Sequence, residues 1–284
     1  MSALTQAFEA ARARRARVVF PELGEDPRID AAARRLAEDG LAEPVPPTAP
    51  SAAQVAALVA ARGLRPALAD RMLARPLIRA AAMVAAGEAD AMVAGAVAPS
   101  RKVIEAASLA IGPAEGVRTA SSFFLMIFPD GRELIFADCG LNVDPDPEEL
   151  ADIARASAAT GRALLGAARV ALLSFSTGSS GAGASVDKVR AAAEATGFAG
   201  PLQGDAALNP RVAAVKGMGT GDANVLVFPD LDAGNIAYKL AQELAGARAL
   251  GPILQGFRRP VCDLSRGATV EDIVAATVVT LALG

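Results

Sequence analysis

The chain of 284 residues contains no histidine. This absence excludes Ser-His-Asp and Cys-His catalysis, HExxH zinc sites and imidazole proton shuttles. Any general base must therefore be a carboxylate, a lysine, a cysteine or the single tyrosine, Tyr238. The two cysteines, Cys139 and Cys262, are too few for a disulfide framework and lack metal-ligand spacing. We expect both to be small buried side chains.

Long apolar runs and blocks of one charge are also missing. No run of about 18 uncharged apolar residues occurs and residues 1–15 are too charged for a secretory signal, so we expect a cytoplasmic protein without a membrane partner. The 28 basic and 31 acidic residues give a net charge of −3 with no basic block, which argues against a nucleic-acid partner. The length of 284 residues is enough for one large or two modest globular domains, and the 52% of apolar residues fits a packed fold.

Strand-like apolar runs alternate with helical patterns along the chain. Predicted strands cover 17–22, 90–97, 118–128, 133–139, 169–176 and 224–229. Predicted helices cover 26–39, 52–62, 66–87, 100–111, 148–160, 186–196 and 233–245. The turn Pro129-Asp130-Gly131 predicts an antiparallel hairpin between two of the strands. The alternation elsewhere predicts an α/β fold with mainly parallel sheets and helices on both faces.

The chain has two candidate crossing points between domains, at 142–147 and around 251–260. They divide it into a discontinuous first α/β domain, residues 1–143 with 254–284, and a second α/β domain, residues 144–253. We expect a cleft between the two halves.

One segment of small polar residues, 174–183, follows a predicted strand and precedes a helix, where parallel sheets present ligand sites. Its small side chains let backbone N–H groups approach an anion closely. It lacks the Lys of a Walker A loop and the GxGxxG pattern of dinucleotide-binding folds. An ordinary flexible turn is an equal alternative.

A second strand-to-helix junction, residues 228–235, contains Asp230, Gly234 and Asn235. Helix-start amides can hold a phosphate, which makes this junction a candidate phosphate site. The alternative is that Asp230 is only an N-cap.

The segment 263–273 places a hydroxyl, Ser265, and a guanidinium, Arg266, on a loop and a carboxylate, Asp272, in the first turn of the last helix. Such a trio suits an acyl phosphate. Structurally, Thr269 can cap the helix while Asp272 reaches back as in a capping box, which is the competing interpretation.

These segments, together with others in the same order, resemble those of phosphate acetyltransferases (phosphotransacetylases) in the phosphate acetyl/butyryltransferase superfamily. The matching stretches are Val19-Phe20-Pro21-Glu22, residues 90–96, 121–124, 136–139, 173–177, 228–235 with Tyr238-Lys239, 251–256, and Asp263-Leu264-Ser265-Arg266-Gly267 with Glu271-Asp272. The resemblance implies two α/β domains like those of isocitrate dehydrogenase and a homodimer. It also implies acetyl-CoA, phosphate and acetyl phosphate as substrates, with no metal and no other cofactor.

The resemblance also implies roles for particular residues. Asp272 would take the proton from the thiol of coenzyme A, Ser265 would hydrogen-bond the charge developing on the acyl carbonyl, and Arg266 would hold the phosphoryl oxygens. An Asp of ordinary pKa, about 3.9, is a weak base for a thiol of pKa about 8.5, so the site must raise one pKa or lower the other. The implied substrate-binding residues are Ser176, Thr177, Gly178, Ser179, Asp230, Gly234, Asn235 and Gln255.

Several cations typical of this family are missing. Gly178 and Ala182 stand where the family has lysines, and Glu105 stands where it has an arginine. Arg101, one turn earlier on the same predicted helix, is a candidate replacement for that arginine. The alternative is a surface pair between Arg101 and Glu105.

Three alternatives to an acetyltransferase remain: a transferase for propionyl or butyryl groups, a non-catalytic module that senses acetyl-CoA, and a decarboxylating hydroxy-acid dehydrogenase. The sequence favours the dehydrogenase least, because no metal-binding carboxylate cluster is evident.

Overall fold

The computed structural model describes residues 2–284, which group as two compact units. Unit 1 comprises Ala3–Val117 and Gly251–Gly284, and unit 2 comprises Arg118–Leu250. The sequence-based division assigned residues 118–143 to the first domain, whereas this grouping places them in unit 2. No helix among the described residues is long and apolar enough to cross a membrane.

Helices and strands alternate along both units. In chain order the first elements are α1 (Ala3–Arg14), β1 (Arg17–Val19), α2 (Pro27–Glu38), β2 (Glu43–Val45), α3 (Ala52–Arg62), α4 (Pro66–Met72), α5 (Pro76–Ala85), β3 (Ala91–Ala94) and α6 (Ser100–Ala110). The next are β4 (Ser121–Ile127), β5 (Glu133–Ala137), α7 (Pro147–Leu165), β6 (Val170–Leu173), α8 (Ala184–Thr196), β7 (Ala199–Leu202), α9 (Gly204–Leu208), α10 (Pro210–Lys216), β8 (Val225–Val227) and α11 (Leu231–Ala245). The last are β9 (Arg248–Gln255), β10 (Val261–Asp263) and α12 (Val270–Leu281). This alternation confirms the predicted α/β fold class.

In unit 1 the strand order is β2-β1-β3-β10-β9. Strand β1 runs parallel to β2 and β3, and β10 runs parallel to β3 but antiparallel to β9. The carboxyl ends of β1, β3 and β10 therefore share one edge of the sheet. Buried side chains of helices and strands, among them Leu58, Ile78, Met83 and Met92, form the apolar core of this unit.

In unit 2 the strand order is β4-β5-β8-β6-β7. Strands β4 and β5 form the predicted antiparallel hairpin, and Gly131 in its turn takes a φ of 84° that favours glycine. Strand β8 is parallel to β5 and β6, and β6 is parallel to β7, so four carboxyl ends share one edge. Phe124, Phe136 and Phe228 belong to the core of this unit.

Proline accounts for several differences from the predicted elements. The helix predicted over 66–87 is two helices, because Pro76 lacks an N–H and begins α5 at its first position. Strands β2 and β7 were not predicted, since Pro44 and Pro201 lower strand propensity. Both are edge strands, where a missing N–H is tolerated.

Candidate functional site

Three loops meet the carboxyl edge of the unit 1 sheet, one after each of β1, β3 and β10. Glu22, which follows β1, is only 4% exposed. Its carboxylate accepts hydrogen bonds from the four consecutive backbone N–H groups of residues 95–98, at 2.7 to 3.2 Å. This one side chain therefore fixes the loop after β3, and its role could not be inferred from the linear sequence.

Gly95 allows the loop after β3 to lie against the end of β10. Its φ is 109°, and a Cβ at this position would lie 2.5 Å from Oδ1 of Asp263 and 2.7 Å from the backbone N and O of Leu264. Any side chain larger than hydrogen would separate the two loops.

Asp263, the last residue of β10, is a buried carboxyl group. It is 1% exposed, and among the described residues no donor is placed to bond its Oδ1. Burial raises the pKa of Asp263 from 3.8 to about 6; a hydrogen bond with Ser100 opposes the rise, and the charge of Glu22 adds to it. Asp263 therefore holds its proton more tightly than an ordinary aspartate.

Ser265 and Arg266 lie on the turn that follows β10, and both are exposed. The Oγ of Ser265 accepts a hydrogen bond from the N–H of Gly267 at 3.3 Å, and its carbonyl accepts one from the N–H of Ala268 at 2.9 Å. The hydroxyl and the guanidinium predicted from the sequence are thus on one short, hydrogen-bonded turn.

Asp272 is the third residue of α12 and is half-buried. Its N–H donates to Oγ1 of Thr269 at 3.2 Å, while its Oδ2 accepts from the N–H of Thr269 at 3.2 Å and from Oγ1 at 2.8 Å. The capping box considered in the sequence is therefore present. It holds the Asp272 carboxylate at the amino end of the helix that follows the Ser265 turn.

In unit 2 the segment 174–183, which follows β6, is an internally hydrogen-bonded loop. Ser176 and Thr177 are 1% and 7% exposed, Gly178 has a φ of 57°, and Ser179 is exposed. The N–H groups of Thr177 and Gly178 donate to Oγ of Ser180 and to the carbonyl of Pro201, both at 3.0 Å. An anion at this loop would therefore contact hydroxyls and the remaining amides, because these two already have acceptors.

The start of α11 is joined to the loop after β5. Asp230 is the N-cap of α11 and accepts a hydrogen bond from the N–H of Ala233 at 2.8 Å. Gly234 is buried, and a Cβ there would lie 2.3 Å from the carbonyl oxygen of Asp138. The amide of Asn235 donates to the carbonyl of Cys139 at 3.2 Å. Asp230 is thus an N-cap, which was one of the two interpretations of the sequence. Gly234 and Asn235 contact the loop after β5.

Asp138 holds the loop after β5 by hydrogen bonds, a role that the sequence did not reveal. It is 3% exposed and accepts hydrogen bonds from six donors: the N–H and hydroxyl of Ser122, the N–H groups of Gly140 and Leu141, and the N–H and side-chain amide of Asn142. The sequence showed an aspartate after a strand, but its partner Ser122 lies 16 residues away.

The remaining predicted residues belong to unit 1. Gln255 ends β9 and is 7% exposed. Arg101 is exposed on the first turn of α6. Glu105 forms an ion pair with Arg75 at 3.2 Å, so it has a partner other than the Arg101 that the sequence suggested.

Both cysteines are buried, as expected, and burial raises the pKa of Cys262 to about 12 and that of Cys139 well above its ordinary value. Across residues 2–284 no group of three or more His, Cys, Asp or Glu side chains is placed to hold a metal ion.

The fold defines an α/β protein whose loops gather at the carboxyl edges of parallel strands, where proteins of this class bind ligands. Comparison with known proteins identifies its family. Residues 46–281 match the model of the family described as phosphate acetyl/butaryl transferase. A phosphate acetyltransferase of Paracoccus denitrificans is 42% identical over 99% of this chain and 98% of its own length. One from Clostridium acetobutylicum is 46% identical over 75% of this chain and 68% of its own.

The structure gives the same assignment. A crystal structure of a phosphotransacetylase from Streptococcus pyogenes superposes with a TM-score of 0.91 at 34% identity, covering 99% of this chain and 97% of that one. The chain therefore belongs to the phosphate acetyl/butyryl transferase family and is a transferase.

Proposed function

We propose that the protein reversibly transfers an acetyl group between coenzyme A and inorganic phosphate. The observation that supports this most is that Ser265, Arg266 and Asp272 are grouped around the start of α12 in a chain 42% identical, over 99% of its length, to a phosphate acetyltransferase. A non-catalytic module would not need to retain all three.

The proposed reaction proceeds in a complex of the protein with both substrates. The carboxylate of Asp272 accepts the proton of the coenzyme A thiol, and the thiolate attacks the carbonyl carbon of acetyl phosphate. The hydroxyl of Ser265 donates a hydrogen bond to the oxygen on which negative charge develops. The bond between the carbonyl carbon and the oxygen that bridges to phosphorus then breaks. Arg266 binds the departing phosphate with two N–H groups. The proton leaves Asp272 for phosphate or water.

We propose the following substrate contacts within each unit. In unit 2, Ser176, Thr177, Gly178 and Ser179 and the α11 residues Asp230, Gly234 and Asn235 contact coenzyme A or phosphate; in unit 1, Gln255 and Arg101 do so. Apart from Gln255, which ends strand β9, these residues lie on a loop or near a helix start, of the kind that binds anions. The proposed steps use only protein groups and the two substrates, and so need neither metal nor prosthetic group.

The test is formation of acetyl-CoA from acetyl phosphate and coenzyme A by purified protein, followed by thioester absorbance. Propionyl phosphate and butyryl phosphate, tested in parallel, measure the acyl range. Turnover of acetyl phosphate with the highest kcat/KM supports the proposal. Binding of acetyl-CoA without turnover of any acyl phosphate would instead show a sensing module.

We also propose that the protein forms a homodimer through α11. This helix has only Gly234 buried, while Ile236, Leu240 and Leu244 are 51% to 81% exposed at a spacing that places them on one face. An antiparallel second copy would set Leu240 against Leu240 and bring Lys239 close to the second copy's Glu243. Sedimentation should give a dimer, and Leu240→Glu should give a monomer with an unchanged circular dichroism spectrum.

A further inference from the structure

The side chain of Arg28 has all five of its N–H groups engaged within unit 1. Its Nε donates a hydrogen bond to the carboxylate of Asp26 at 3.1 Å, and its Nη2 donates a second one at 2.8 Å. Its Nη1 donates to the carbonyl of Arg266 at 2.7 Å and to that of Ala268 at 3.0 Å, and Nη2 also donates to the carbonyl of Ala96 at 3.2 Å. A guanidinium has five N–H donors, so this set uses the whole group.

Asp26 fixes this guanidinium in position and offsets its charge. Asp26 is 8% exposed and is the N-cap of α2, where it accepts the N–H of Arg28 at 2.8 Å. The hydrogen bonds between the two side chains lower the pKa of Asp26 and raise that of Arg28, so both stay charged. A paired guanidinium whose donors are all used has none left for a substrate.

The acceptors of Arg28 belong to two loops at the carboxyl edge of the unit 1 sheet, one of which carries the proposed reacting groups. Ala96 lies in the loop after β3, where its N–H donates to Glu22, and the carbonyls of residues 266 and 268 lie in the turn that carries Ser265. The three carbonyls lie 68 to 240 residues along the chain from Arg28, so one side chain joins segments that are remote in sequence.

We propose that Arg28 is a positioning residue, which holds the turn bearing Ser265 and Arg266 in the geometry needed for acyl transfer. The proposal rests on the proposed function, because Ser265 and Arg266 are reacting groups only in that reaction. It assigns Arg28 itself no contact with substrate. A displacement of about 1 Å at a reacting group can cost up to about a hundredfold in rate. Lysine at this position has three donors and no planar fork, so it cannot make the same set of bonds.

The test compares Arg28→Ala and Arg28→Lys with Arg34→Ala, a control on the exposed face of the same helix. Both Arg28 variants should lower kcat at least about tenfold while KM for coenzyme A stays within about threefold, since the turn that moves carries Ser265 and the proposed phosphate-binding Arg266. Added guanidinium chloride at about 20 mM, far below denaturing concentrations, should partly restore kcat of Arg28→Ala, because Asp26 and the carbonyls remain. Methylammonium should not restore kcat of Arg28→Ala, and kcat of Arg34→Ala should respond to neither compound.

A second measurement does not depend on activity. Hydrogen exchange at the amides of Gly267 and Ala268, which donate to Ser265, should be faster in Arg28→Ala and return toward the wild-type rate with guanidinium. Absence of turnover by the wild-type protein would reject the proposed function but leave this exchange result as the test of the positioning.

Three outcomes would overturn the proposal. An unchanged kcat in both Arg28 variants would show that the turn holds its geometry without Arg28. A raised KM for coenzyme A with unchanged kcat would make Arg28 a substrate-binding residue. Unaltered exchange at residues 267 and 268 would show that the guanidinium does not hold the turn.

Discussion

Asp272 combines a structural position with a proposed chemical role, and substitution can separate the two. In Asp272→Asn the side-chain oxygen can still accept the Thr269 N–H, so most of the cap is retained. The base is lost, and we expect kcat to fall at least about a hundredfold while the free energy of unfolding changes by less than about 1 kcal/mol. Steady-state kinetics and urea unfolding measure the two effects.

Thr269→Ala is the matched control. It removes the hydroxyl that bonds the N–H of Asp272 but keeps the carboxylate. We expect it to lose about 1 kcal/mol of stability and to keep kcat within a few-fold. If Asp272→Asn instead keeps its rate and loses stability, Asp272 is only a helix cap.

Arg266 is exposed, and its proposed partner is the phosphoryl group. Arg266→Lys keeps the charge and loses the two-pronged geometry, so we expect KM for acetyl phosphate, or for phosphate in reverse, to rise about tenfold. KM for coenzyme A should change less than about threefold in the same variant. Equal changes for both substrates, measured by varying each at saturation of the other, would place Arg266 elsewhere in the site.

The sequence identified residues that are near one another in the chain and missed those that act at a distance. Ser265, Arg266 and Asp272 span one loop and one helical turn, so a linear pattern shows them together. Glu22 and Arg28 reach segments that come near only when β1, β3 and β10 pair. No local pattern encodes such a contact, because it depends on the order of strands in the sheet.

At the level of elements, caps and turns made several boundaries predictable. Gly63 ends α3 in the left-handed conformation, and Pro147 with the Asp146 capping box begins α7. The hairpin of β4 and β5 followed from its turn residues. The antiparallel pairing of β9 with β10 could not be predicted, since the direction of pairing depends on the rest of the sheet.

The contact of α11 with the loop after β5 depends on Gly234. A methyl group there would lie 2.3 Å from the carbonyl oxygen of Asp138, so Gly234→Ala must displace the helix or the loop. We expect the free energy of unfolding to fall by about 1 to 3 kcal/mol, as in other overpacked sites. Urea unfolding at constant pH measures it.

Gly204→Ala is the control for that substitution. Gly204 begins α9, and a Cβ there would have nothing within 4 Å. Stability should be unchanged or slightly higher, because alanine favours helix over glycine by up to about 1 kcal/mol. Equal losses in both variants would mean that backbone freedom, rather than the Asp138 contact, explains the effect.

In the molecule as a whole, both units present their loops at the carboxyl edges of parallel strands. Unit 1 builds its edge from the two ends of the chain, since β1 and β3 come from the first hundred or so residues, whereas β10 comes from the last thirty or so. The cost of this arrangement is buried charge. Glu22 is compensated by four N–H groups, but Asp263, close to it, has an Oδ1 without a donor among residues 2–284.

Asp263 should therefore make the stability of the protein fall as pH rises. Its pKa is about 6 in the fold and 3.8 as the ordinary value, so between these pH values the folded chain retains a proton that the unfolded chain releases. The stabilisation is complete below about pH 4 and is lost above about pH 6, a difference of roughly 1 to 3 kcal/mol. Asp263→Asn lacks this titration. The free energy of unfolding of the wild-type chain minus that of the variant should thus decrease between about pH 4.5 and pH 7, measured by urea unfolding.

The exposed Asp130 provides a control of opposite sign, because the hydrogen bonds from Arg132 lower its pKa. The stabilisation from the ionised Asp130 is present at neutral pH and is lost as pH falls. The free energy of unfolding of the wild-type chain minus that of Asp130→Asn should therefore increase slightly between about pH 4.5 and pH 7. A difference for Asp263→Asn that stays constant with pH would mean that folding leaves the pKa of Asp263 unchanged, and one that increases would mean that the fold stabilises the charged carboxylate. Either result would imply that the buried Oδ1 has a donor such as water.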